Sequence, residues 1–453
     1  RQVVRGSMFI CLAGSREDGH DYLAQAIRKG AAVCVVSKHV WVEGDVTVIR
    51  VRNTSEAMAW IARNYYGAPA EAMQMIGITG TKGKTTTACM LYQMLKEAGV
   101  KCGLIGTLGV RRSDGLKKPG SNTTPDALVL QKELREMADA GCSCCVMEVS
   151  SQGLKHYRVE GITFAIGIYT NLSMDHIGPG EHRSFREYAC CKKRLFERSR
   201  MICINADDKY HGFMTANLEA PVYTYGIEQP CDVKAEHIIY ERSSRGLNVT
   251  YQTTGWIKDE IVLKMPGTAN VYNSLAAMEA AHLLGISPET IRKTLRNVSV
   301  KGRIEEVRIS DKFDVVIDYA HNAASLESLI KTLRQYQPKR LVLLFGCGGN
   351  RSPLRRFQMG ETAGRLSDVT ILTSDNPRYE KPEAILSDIE QGMKRTKGKY
   401  KIIPDRREAI SYAISQAQEG DLIVVAGKGH EEYQEIEGHF YPMNEREMIE
   451  NSI

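Results

Sequence analysis

The sequence has no long apolar run, no block of like charge and no repeated or low-complexity segment. No apolar stretch approaches the roughly 18 residues that indicate a membrane-spanning helix. The 60 basic and 54 acidic residues leave a net charge of +6, which suits an anionic small substrate. That charge is too mild to indicate nucleic acid, and no basic stripe interleaved with aromatic residues supports it. We therefore expect no membrane span and no nucleic-acid partner.

The twelve cysteines lack the arrangement of a metal or redox site. Cys142 and Cys145 form one C-x-x-C, but no second pair accompanies it. Because the cysteines are scattered through apolar segments, we expect reduced core thiols in a cytoplasmic protein. The amino terminus shows no signal peptide. It begins with Arg1 rather than methionine, so we expect that a short N-terminal piece precedes it.

The sequence does contain a glycine-rich loop, Gly77-Ile-Thr-Gly-Thr-Lys-Gly-Lys-Thr-Thr-Thr87, between an apolar run and a helical pattern. A strand, a glycine-rich turn and a helix N-terminus form a phosphate cradle whose backbone N–H groups point inward. Lys84 would reach the outer phosphates, and the Thr85 hydroxyl would ligate Mg²⁺. The generic motif requires a glycine at Ile78, which this chain lacks. The strand–loop–helix context still predicts a site for ATP or a close relative.

Predicted strands and helices alternate along the 453 residues, which indicates α/β domains with parallel sheets. The chain is too long for one core, so several domains are expected. We predict a small N-terminal α/β domain over 1–70 and a central parallel-sheet ATPase domain with the phosphate loop over 71–300. A C-terminal Rossmann-like α/β domain follows over 301–453.

Polar residues follow two predicted strands of the central domain, at the edge where a parallel sheet binds its ligands. Glu148 ends one apolar strand, and Asp175-His176 follow another. Beside a phosphate loop, a carboxylate and an imidazole can hold a divalent metal, and Mn²⁺ suits histidine better than Mg²⁺ does. Each residue alone is more often a simple strand-end group, but their joint placement favours a site. Composition alone makes Lys192, within the helical stretch 185–196, a solvated surface lysine.

In the predicted C-terminal domain, four strands end in segments that carry glycine and charged residues. These segments are 318–322, 345–351, 375–378 and 426–431. Structural turns rarely repeat charged residues at every strand exit, so the pattern predicts a ligand site at this edge of the sheet.

Together these motifs resemble the Mur ligase family, from residue 1 to about 450 and in all three predicted domains. The family loop, G-x-T-G-T-x-G-K-T, accounts for the spacing that the generic motif does not fit. The further segments that are typical of the family are 147–154 with Arg158, 170–176, 302–305, 318–321, 346–351, 375–378 and 427–431. The chain departs from the family pattern at 177–182, at Asn350 and at 444–447, without losing a residue that the chemistry needs.

The resemblance implies an ATP-dependent amide ligase of peptidoglycan precursor synthesis. It would add meso-diaminopimelate to UDP-MurNAc-L-Ala-D-Glu through an acyl phosphate, with residues 1–70 handling the UDP end. The implied cofactors are ATP and Mg²⁺, with Mn²⁺ as an alternative. Lys192 matches a lysine that carries a CO₂-derived carbamate in the family, which turns a cation into a metal-holding anion. We expect a monomer.

The matching positions imply four groups of site residues. ATP binding is implied for Gly80, Thr81, Lys82, Gly83, Lys84, Thr85, Thr86, Asn270, Arg303, Asp318 and His321. Metal binding is implied for Thr85, Glu148, His176 and carbamylated Lys192, and catalysis for Lys84, Glu148, His176 and Lys192. The muramoyl dipeptide would contact Thr123, Thr124, Ser150 and Arg158. The diamino acid would contact Arg351, Asp375, Asn376, Pro377, Arg378, Gly427 and Glu431.

Arg378 bears on the identity of the amine donor, because an arginine fork pairs bidentately with a carboxylate. meso-Diaminopimelate has a second carboxylate where lysine has only an ammonium, so the motif favours diaminopimelate. The attacking amine must arrive neutral, and His176 and His430 are both candidates to take its proton. Three alternatives stay open: the same reaction with L-lysine or another diamino acid, a folylpolyglutamate-synthase-like ligase, and a non-catalytic nucleotide-binding partner subunit. A plain P-loop ATPase would leave the C-terminal loops unexplained.

Overall fold

The computed structural model describes residues 3–14, 17–115, 117–118, 120, 122–178, 180–243 and 246–452. The chain folds as two compact units. The first unit comprises residues 1–234 and 275–291, and the second comprises residues 235–274 and 292–453. Each unit alternates strands with helices, as the sequence predicts for an α/β protein.

The strands of the described residues are, in chain order, β1 (Met8–Ile10), β2 (Val33–Val36), β3 (Thr47–Arg50), β4 (Gln74–Thr79), β5 (Cys102–Gly106), β6 (Gly109–Arg111), β7 (Lys117–Lys118), β8 (Cys144–Glu148), β9 (Phe164–Tyr169), β10 (Ser199–Asn205), β11 (Val222–Gly226), β12 (Val233–Ser243), β13 (Gly246–Gly255), β14 (Glu260–Leu263), β15 (Glu305–Glu306), β16 (Asp314–Asp318), β17 (Arg340–Phe345), β18 (Val369–Leu372), β19 (Lys399–Ile402), β20 (Asp421–Ala426), β21 (Tyr433–Ile436) and β22 (His439–Pro442). The α-helices are α1 (Leu23–Arg28), α2 (Thr54–Tyr65), α3 (Lys84–Glu97), α4 (Ala127–Asp139), α5 (Ser151–Lys155), α6 (Phe185–Lys193), α7 (His211–Thr215), α8 (Thr268–Leu283), α9 (Pro288–Asn297), α10 (Ala323–Arg334), α11 (Pro353–Leu366), α12 (Pro382–Met393), α13 (Arg406–Ser415) and α14 (Glu445–Glu450).

The first unit contains two sheets. β1, β2 and β3 form a small parallel sheet. The larger sheet has the order β11-β10-β9-β4-β8-β5-β6-β7, parallel from β11 to β5 and antiparallel beyond it. In its centre Ile78 pairs with Glu148 and Thr79 pairs with Tyr169. The carboxyl ends of β4, β8 and β9 therefore meet at one edge, where ligands bind to parallel sheets.

Helix α3 starts at this edge because of its preceding glycine. Gly83 has a φ of +88°, a left-handed conformation that glycine adopts without a Cβ clash. The helix then buries Met90, Leu91 and Met94. Burial of such side chains contributes roughly 1.5–3 kcal/mol each and fixes the helix N-terminus against the sheet.

The second unit begins with antiparallel strands that the sequence did not predict. β13 and β14 pair in antiparallel fashion, with Val249 opposite Leu263. Buried and exposed residues alternate along β13, which is the pattern of an antiparallel sheet with one solvated face. The sequence-based description of 71–300 as βαβ units did not anticipate these strands.

The main sheet of the second unit has the order β15-β16-β20-β17-β18-β19 and is parallel except at β15. Its strand ends align, with Ala426 opposite both Asp318 and Phe345, and Phe345 opposite Leu372. The four segments that carry charged residues in the sequence therefore leave the sheet at the same edge.

Candidate active site

The phosphate loop is held by the segment that follows β9. Asn171 accepts hydrogen bonds from the backbone N–H of Thr81 (2.8 Å, to its carbonyl) and of Lys82 (3.0 Å, to Oδ1). Thr170 donates its hydroxyl to the carbonyl of Lys82 at 2.6 Å. A Cβ on Gly80 would lie 1.9 Å from Thr170 Oγ1, so this close approach requires glycine. The loop is thereby fixed before any ligand arrives.

Two lysines converge on one carbonyl of this loop. Lys84 Nζ donates to the carbonyl of Gly80 at 2.8 Å, and Lys192 Nζ donates to the same oxygen at 2.7 Å. Lys192 is only 1% exposed and lies 4.6 Å from the ring centre of Tyr188. Burial, reinforced by the charge of Lys84, lowers the pKa of Lys192 well below its usual value. The neutral amine is therefore more accessible than in a solvated lysine.

The expectation from composition that Lys192 is a solvated lysine is wrong. α6 turns Lys192 inward together with its buried neighbours Tyr188, Ala189 and Cys191. Lysines are rarely buried without a reason, and such positions are candidates for function.

Glu148 is buried beside the phosphate loop and accepts several hydrogen bonds. The Thr85 hydroxyl donates to Glu148 Oε2 at 2.9 Å. Thr107 donates its backbone N–H to Oε1 at 2.8 Å and its hydroxyl to Oε2 at 3.2 Å. A Cβ on Gly106 would lie 2.2 Å from Oε1, so glycine gives the carboxylate its room. The structure thus brings together Thr85 and Glu148, two of the residues predicted for the metal.

His176 lies apart from these contacts. Its side chain is exposed, and Nδ1 lies 3.1 Å from Glu181 Oε1. A different histidine, His182, is fully buried, with Nε2 2.9 Å from the Ser151 hydroxyl. Burial lowers the pKa of His182 to about 4, so its ring is neutral. The role of His176 in metal binding stays a prediction.

The residues predicted for the dipeptide form one hydrogen-bonded group. The Thr124 hydroxyl lies 3.0 Å from the carbonyl of Glu148 and 3.1 Å from the Ser150 hydroxyl. Arg158 Nη1 donates to the carbonyl of Thr124 at 2.8 Å. Thr123 Oγ1 lies 3.1 Å from Thr107 Oγ1 and so connects this group to the partners of Glu148.

A cavity of about 1080 Å³ adjoins this group in the first unit. Arg158, Asp126 and His156 line one part of it, and Arg158 Nε lies 2.9 Å from Asp126 Oδ1. Residues of the small N-terminal sheet line another part, among them Phe9 and Ile10. A cavity of this size, mostly apolar with a few polar groups, suits a substrate larger than the dipeptide alone.

At the edge of the second unit's sheet, Arg378 is the central cation of the segment 375–378. Its Nε lies 2.8 Å from Glu435 Oε2, and its Nη1 donates to the carbonyl of Gly349 at 2.8 Å. These two contacts are made by Nε and Nη1, and Nη2 takes part in neither of them. The residue also has a φ of +53°, a left-handed conformation held by backbone hydrogen bonds to Glu435 and Glu437.

The neighbouring side chains form a network around Asn376. Asn376 Nδ2 donates to Glu431 Oε2 at 2.8 Å. Lys428 Nζ lies 2.8 Å from Asn376 Oδ1 and 3.1 Å from Glu431 Oε2. A Cβ on Gly427 would lie 2.8 Å from Asp375 Oδ2. The structure therefore brings together the predicted residues of the loops after β18 and β20. Lys428, which is fully buried, was not predicted.

Arg351 lies exposed in the loop after β17. Asn270 is buried and donates Nδ2 to the carbonyl of Pro266 at 2.8 Å. Asp318 accepts the backbone N–H of Ile304 at 2.9 Å. These placements leave the predicted roles of Arg351, Asn270 and Asp318 open.

Aromatic and basic side chains surround Tyr319. The Arg303 guanidinium lies 5.0 Å from its ring centre, and the rings of His321 and His430 lie 4.7 and 4.8 Å away. Burial, with Arg303 nearby, lowers the pKa of His430 to about 4. A histidine with a lowered pKa is a poor acceptor for the proton of an ammonium, which favours His430 less as the base.

Within the described ranges, no helix has the length and apolar content to cross a membrane. The same part of the chain holds no cluster of three or more His, Cys, Asp or Glu residues placed for a metal. The cysteines described there are free, and Cys142 and Cys145 are buried as predicted.

Three family profiles match successive parts of the chain. Residues 1–66 match the Mur ligase family catalytic domain, 78–281 the Mur ligase middle domain, and 302–429 the Mur ligase glutamate ligase domain. A UDP-N-acetylmuramoyl-L-alanyl-D-glutamate–2,6-diaminopimelate ligase of Caldanaerobacter subterraneus subsp. tengcongensis is 42% identical over 447 residues, which cover 98% of this chain and 92% of that protein. The chain belongs to the Mur ligase family. The resemblance found in the sequence and the α/β fold of three Mur ligase domains are thereby confirmed.

Other comparisons agree with this assignment. A ligase of the same name from Clostridium perfringens is 39% identical over 99% of this chain and 92% of its own length. A solved structure of a ligase of that name is 30% identical, with a TM-score of 0.72, and covers 100% of this chain and 93% of its own. A folylpolyglutamate synthase of Mycobacterium tuberculosis is 17% identical with a TM-score of 0.66, a likeness of fold alone. Mur ligases are ATP-dependent, so the prediction of a nucleotide-driven ligase is confirmed.

Proposed function

We propose that this protein joins meso-diaminopimelate to UDP-MurNAc-L-Ala-D-Glu at the expense of ATP, releasing ADP and phosphate. The observation that carries the choice of donor is Arg378, whose fork is fixed at the strand-end edge by Glu435 and the carbonyl of Gly349. A planar fork with a remaining N–H group suits the second carboxylate of diaminopimelate. The relatives described above carry the name of this reaction.

The first chemical step passes the γ-phosphate of ATP to a carboxylate of the dipeptide substrate. Phosphoryl transfer requires positioning and charge neutralisation more than covalent help. Lys84 and the backbone N–H groups at the start of α3 would bind the phosphate oxygens, because the loop is already held in place by Thr170 and Asn171. Thr124, Ser150 and Arg158 would orient the dipeptide.

The second step forms the amide. The resulting acyl phosphate has a good leaving group, so the neutral amine of the diamino acid attacks its carbonyl carbon. The tetrahedral intermediate then breaks its C–O bond to phosphate, and one proton of the former amine passes to solvent, which leaves the amide. Asn376, Glu431 and Arg378 would hold the two ends of the amine donor, since they line the same edge of the sheet.

Hard oxygen ligands suit Mg²⁺, and the structure places two of them together, the Thr85 hydroxyl and the Glu148 carboxylate at 2.9 Å. These two groups therefore fit a magnesium ion, which would neutralise phosphate charge when bound. Lys192, once neutral, can add through Nζ to CO₂; the new N–C bond and loss of a proton to solvent give a carbamate. That anion would supply a further oxygen ligand. We propose the cytoplasm as the compartment, and a monomer remains a prediction.

The proposal is tested by ADP release from the purified protein with ATP, Mg²⁺ and defined acceptors. We expect release with UDP-MurNAc-L-Ala-D-Glu plus meso-diaminopimelate, and little with L-lysine. Faster turnover with L-lysine would overturn the donor assignment. Turnover with a folate and glutamate would instead support the folylpolyglutamate-synthase-like alternative, and no turnover with any pair would support a non-catalytic role.

A further inference from the structure

The second unit contains a buried ion pair outside the predicted site. Arg406 is the first residue of α13 and Glu445 the first residue of α14. Arg406 Nε lies 2.6 Å from Glu445 Oε1, and both side chains are 1% exposed. Burying two charges is costly, and an ion pair of this kind is weak evidence for stability alone. Its position therefore requires another explanation.

The other two nitrogens of the Arg406 guanidinium bind the backbone at two different places, one in the loop after β18 and one at the end of β20. Nη1 donates to the carbonyl of Ser374 at 3.0 Å, and Nη2 donates to the carbonyl of Ala426 at 2.9 Å. Ser374 directly precedes Asp375, and Ala426 directly precedes Gly427. A single planar fork thus spans the two segments that carry the proposed contacts to the diamino acid.

We infer that Arg406, oriented by Glu445, is a positioning residue that sets the separation of the segments 375–378 and 427–431, and thereby the fit of the diamino acid. The inference rests on the proposed function. Asp375 and Gly427 are already close, because a Cβ on Gly427 would meet Asp375 Oδ2 at 2.8 Å. A small displacement of either segment would therefore change the space for the ligand, since sites of this kind need tight positioning.

The chain offers a matched control at the opposite edge of the same sheet. Arg340 begins β17, and Asp421 begins β20. Arg340 Nε lies 3.0 Å from Asp421 Oδ1, and Arg340 Nη2 donates to the carbonyl of Gln416 at 3.0 Å. Like Arg406, Arg340 contacts a carboxylate and a backbone carbonyl. Neither of these partners lies in a segment proposed to bind the diamino acid.

The experiment compares Arg406→Met with Arg340→Met in the full chain. We expect Arg406→Met to raise KM for meso-diaminopimelate at least about tenfold, which corresponds to ~1.4 kcal/mol. KM for ATP and for UDP-MurNAc-L-Ala-D-Glu should change little, and Arg340→Met should leave all three near the wild-type values. Urea unfolding of both variants measures how far each is destabilised.

Two further variants distinguish positioning from general stability. Arg406→Lys keeps the charge but cannot reach both carbonyls as a fork. Compared with Arg406→Met, it should therefore recover the free energy of unfolding more fully than it recovers KM for meso-diaminopimelate. Arg406→Met combined with Glu445→Leu should raise KM no more than Arg406→Met alone, because the two residues act as one unit.

The inference is overturned if Arg406→Met and Arg340→Met raise KM for meso-diaminopimelate equally, or if Arg406→Met changes all three KM values together. If Arg406→Met does not fold, Arg406→Lys decides through the same comparison of KM values. Wild-type protein that is inactive with every diamino acid would instead refute the proposed function, an outcome that is separate from these results.

Discussion

The phosphate-loop site of the first unit and the strand-end site of the second unit arrange their charges differently. In the first, the side-chain nitrogens of Lys84 and Lys192 lie on one backbone carbonyl, that of Gly80. In the second, Arg378 lies against Glu435 and Lys428 against Glu431. The first site gathers Lys84 and the backbone N–H groups of the phosphate loop where phosphate would be transferred. The second pairs its cations with carboxylates around a ligand that is itself zwitterionic.

This difference separates two tasks. N–H groups and a lysine on a preformed cradle stabilise charge that develops during the reaction, so losing one group should affect the rate. A balanced network selects a ligand by shape and by matched charge, so its loss should affect affinity and donor choice. Substitutions in the two sites should therefore separate effects on kcat from effects on KM.

The largest effect is expected for Lys84→Met. Removing one group that stabilises transferred charge should lower kcat for ADP release by about a thousandfold. The fold should persist, because α3 is anchored by its buried apolar residues. Lys96→Met in the exposed last turn of the same helix is the control and should retain full activity. A Lys84→Met enzyme with near-normal kcat would contradict the assignment of this loop to phosphoryl transfer.

Lys192→Met should lower kcat by about a hundredfold, because the carbamate can no longer form. In the wild type, removal of dissolved CO₂ should lower activity and added bicarbonate should restore it. The lowered pKa of Lys192 implies that its amine is neutral, and so can react, at a lower pH than an ordinary lysine. Lys193→Met, at the adjacent position, should keep the response to CO₂. Activity independent of CO₂ in the wild type would argue against carbamylation.

Arg378→Lys should raise KM for meso-diaminopimelate about tenfold, a loss of ~1.4 kcal/mol, because lysine cannot form the fork. KM for ATP should not change. A φ of +53° strains the backbone of lysine and arginine equally, so the comparison isolates the guanidinium. Steady-state kinetics with each donor measures the effect. An unchanged ratio of turnover with diaminopimelate to turnover with L-lysine would show that Arg378 does not select the donor.

The smallest effects are expected at two neighbouring glycines. A Cβ on Gly349 would lie 1.9 Å from the carbonyl oxygen of Pro377, whereas a Cβ on Gly348 would lie 2.9 Å from a side-chain atom, Arg378 Nη1. Gly349→Ala should therefore raise KM for meso-diaminopimelate severalfold and Gly348→Ala about twofold, since only the first forces the backbone to move. The reverse order would indicate that the loop is not held against Pro377.

Much of both units could be predicted because their chemistry is local in sequence. The phosphate loop, the helix after it and the strand ends at Glu148 and Asp318 follow from short motifs and from the alternation of strands and helices. Residues whose role depends on packing could not be predicted. Lys192 is a lysine among other charged residues of a helix, and nothing in composition shows that α6 buries it.

Contacts between distant positions were also hidden in the sequence. Thr107 binds Glu148 from 41 residues away, and Arg406 meets Glu445 across 39 residues. Neither pair belongs to a motif whose spacing would identify the two residues as partners. The departure from the family pattern at 444–447 did draw attention to the segment of Glu445, but only the fold shows that this carboxylate orients Arg406. Long-range pairs of this kind require the tertiary structure.

In the proposed reaction the first unit activates the carboxylate and the second selects the amine. Hydroxylamine tests this most directly, because it traps an acyl phosphate as a hydroxamate without a diamino acid. With ATP, Mg²⁺ and UDP-MurNAc-L-Ala-D-Glu, we expect equal rates of hydroxamate formation for wild type and Arg378→Lys, and none for Lys84→Met. Loss of hydroxamate in Arg378→Lys as severe as in Lys84→Met would contradict it.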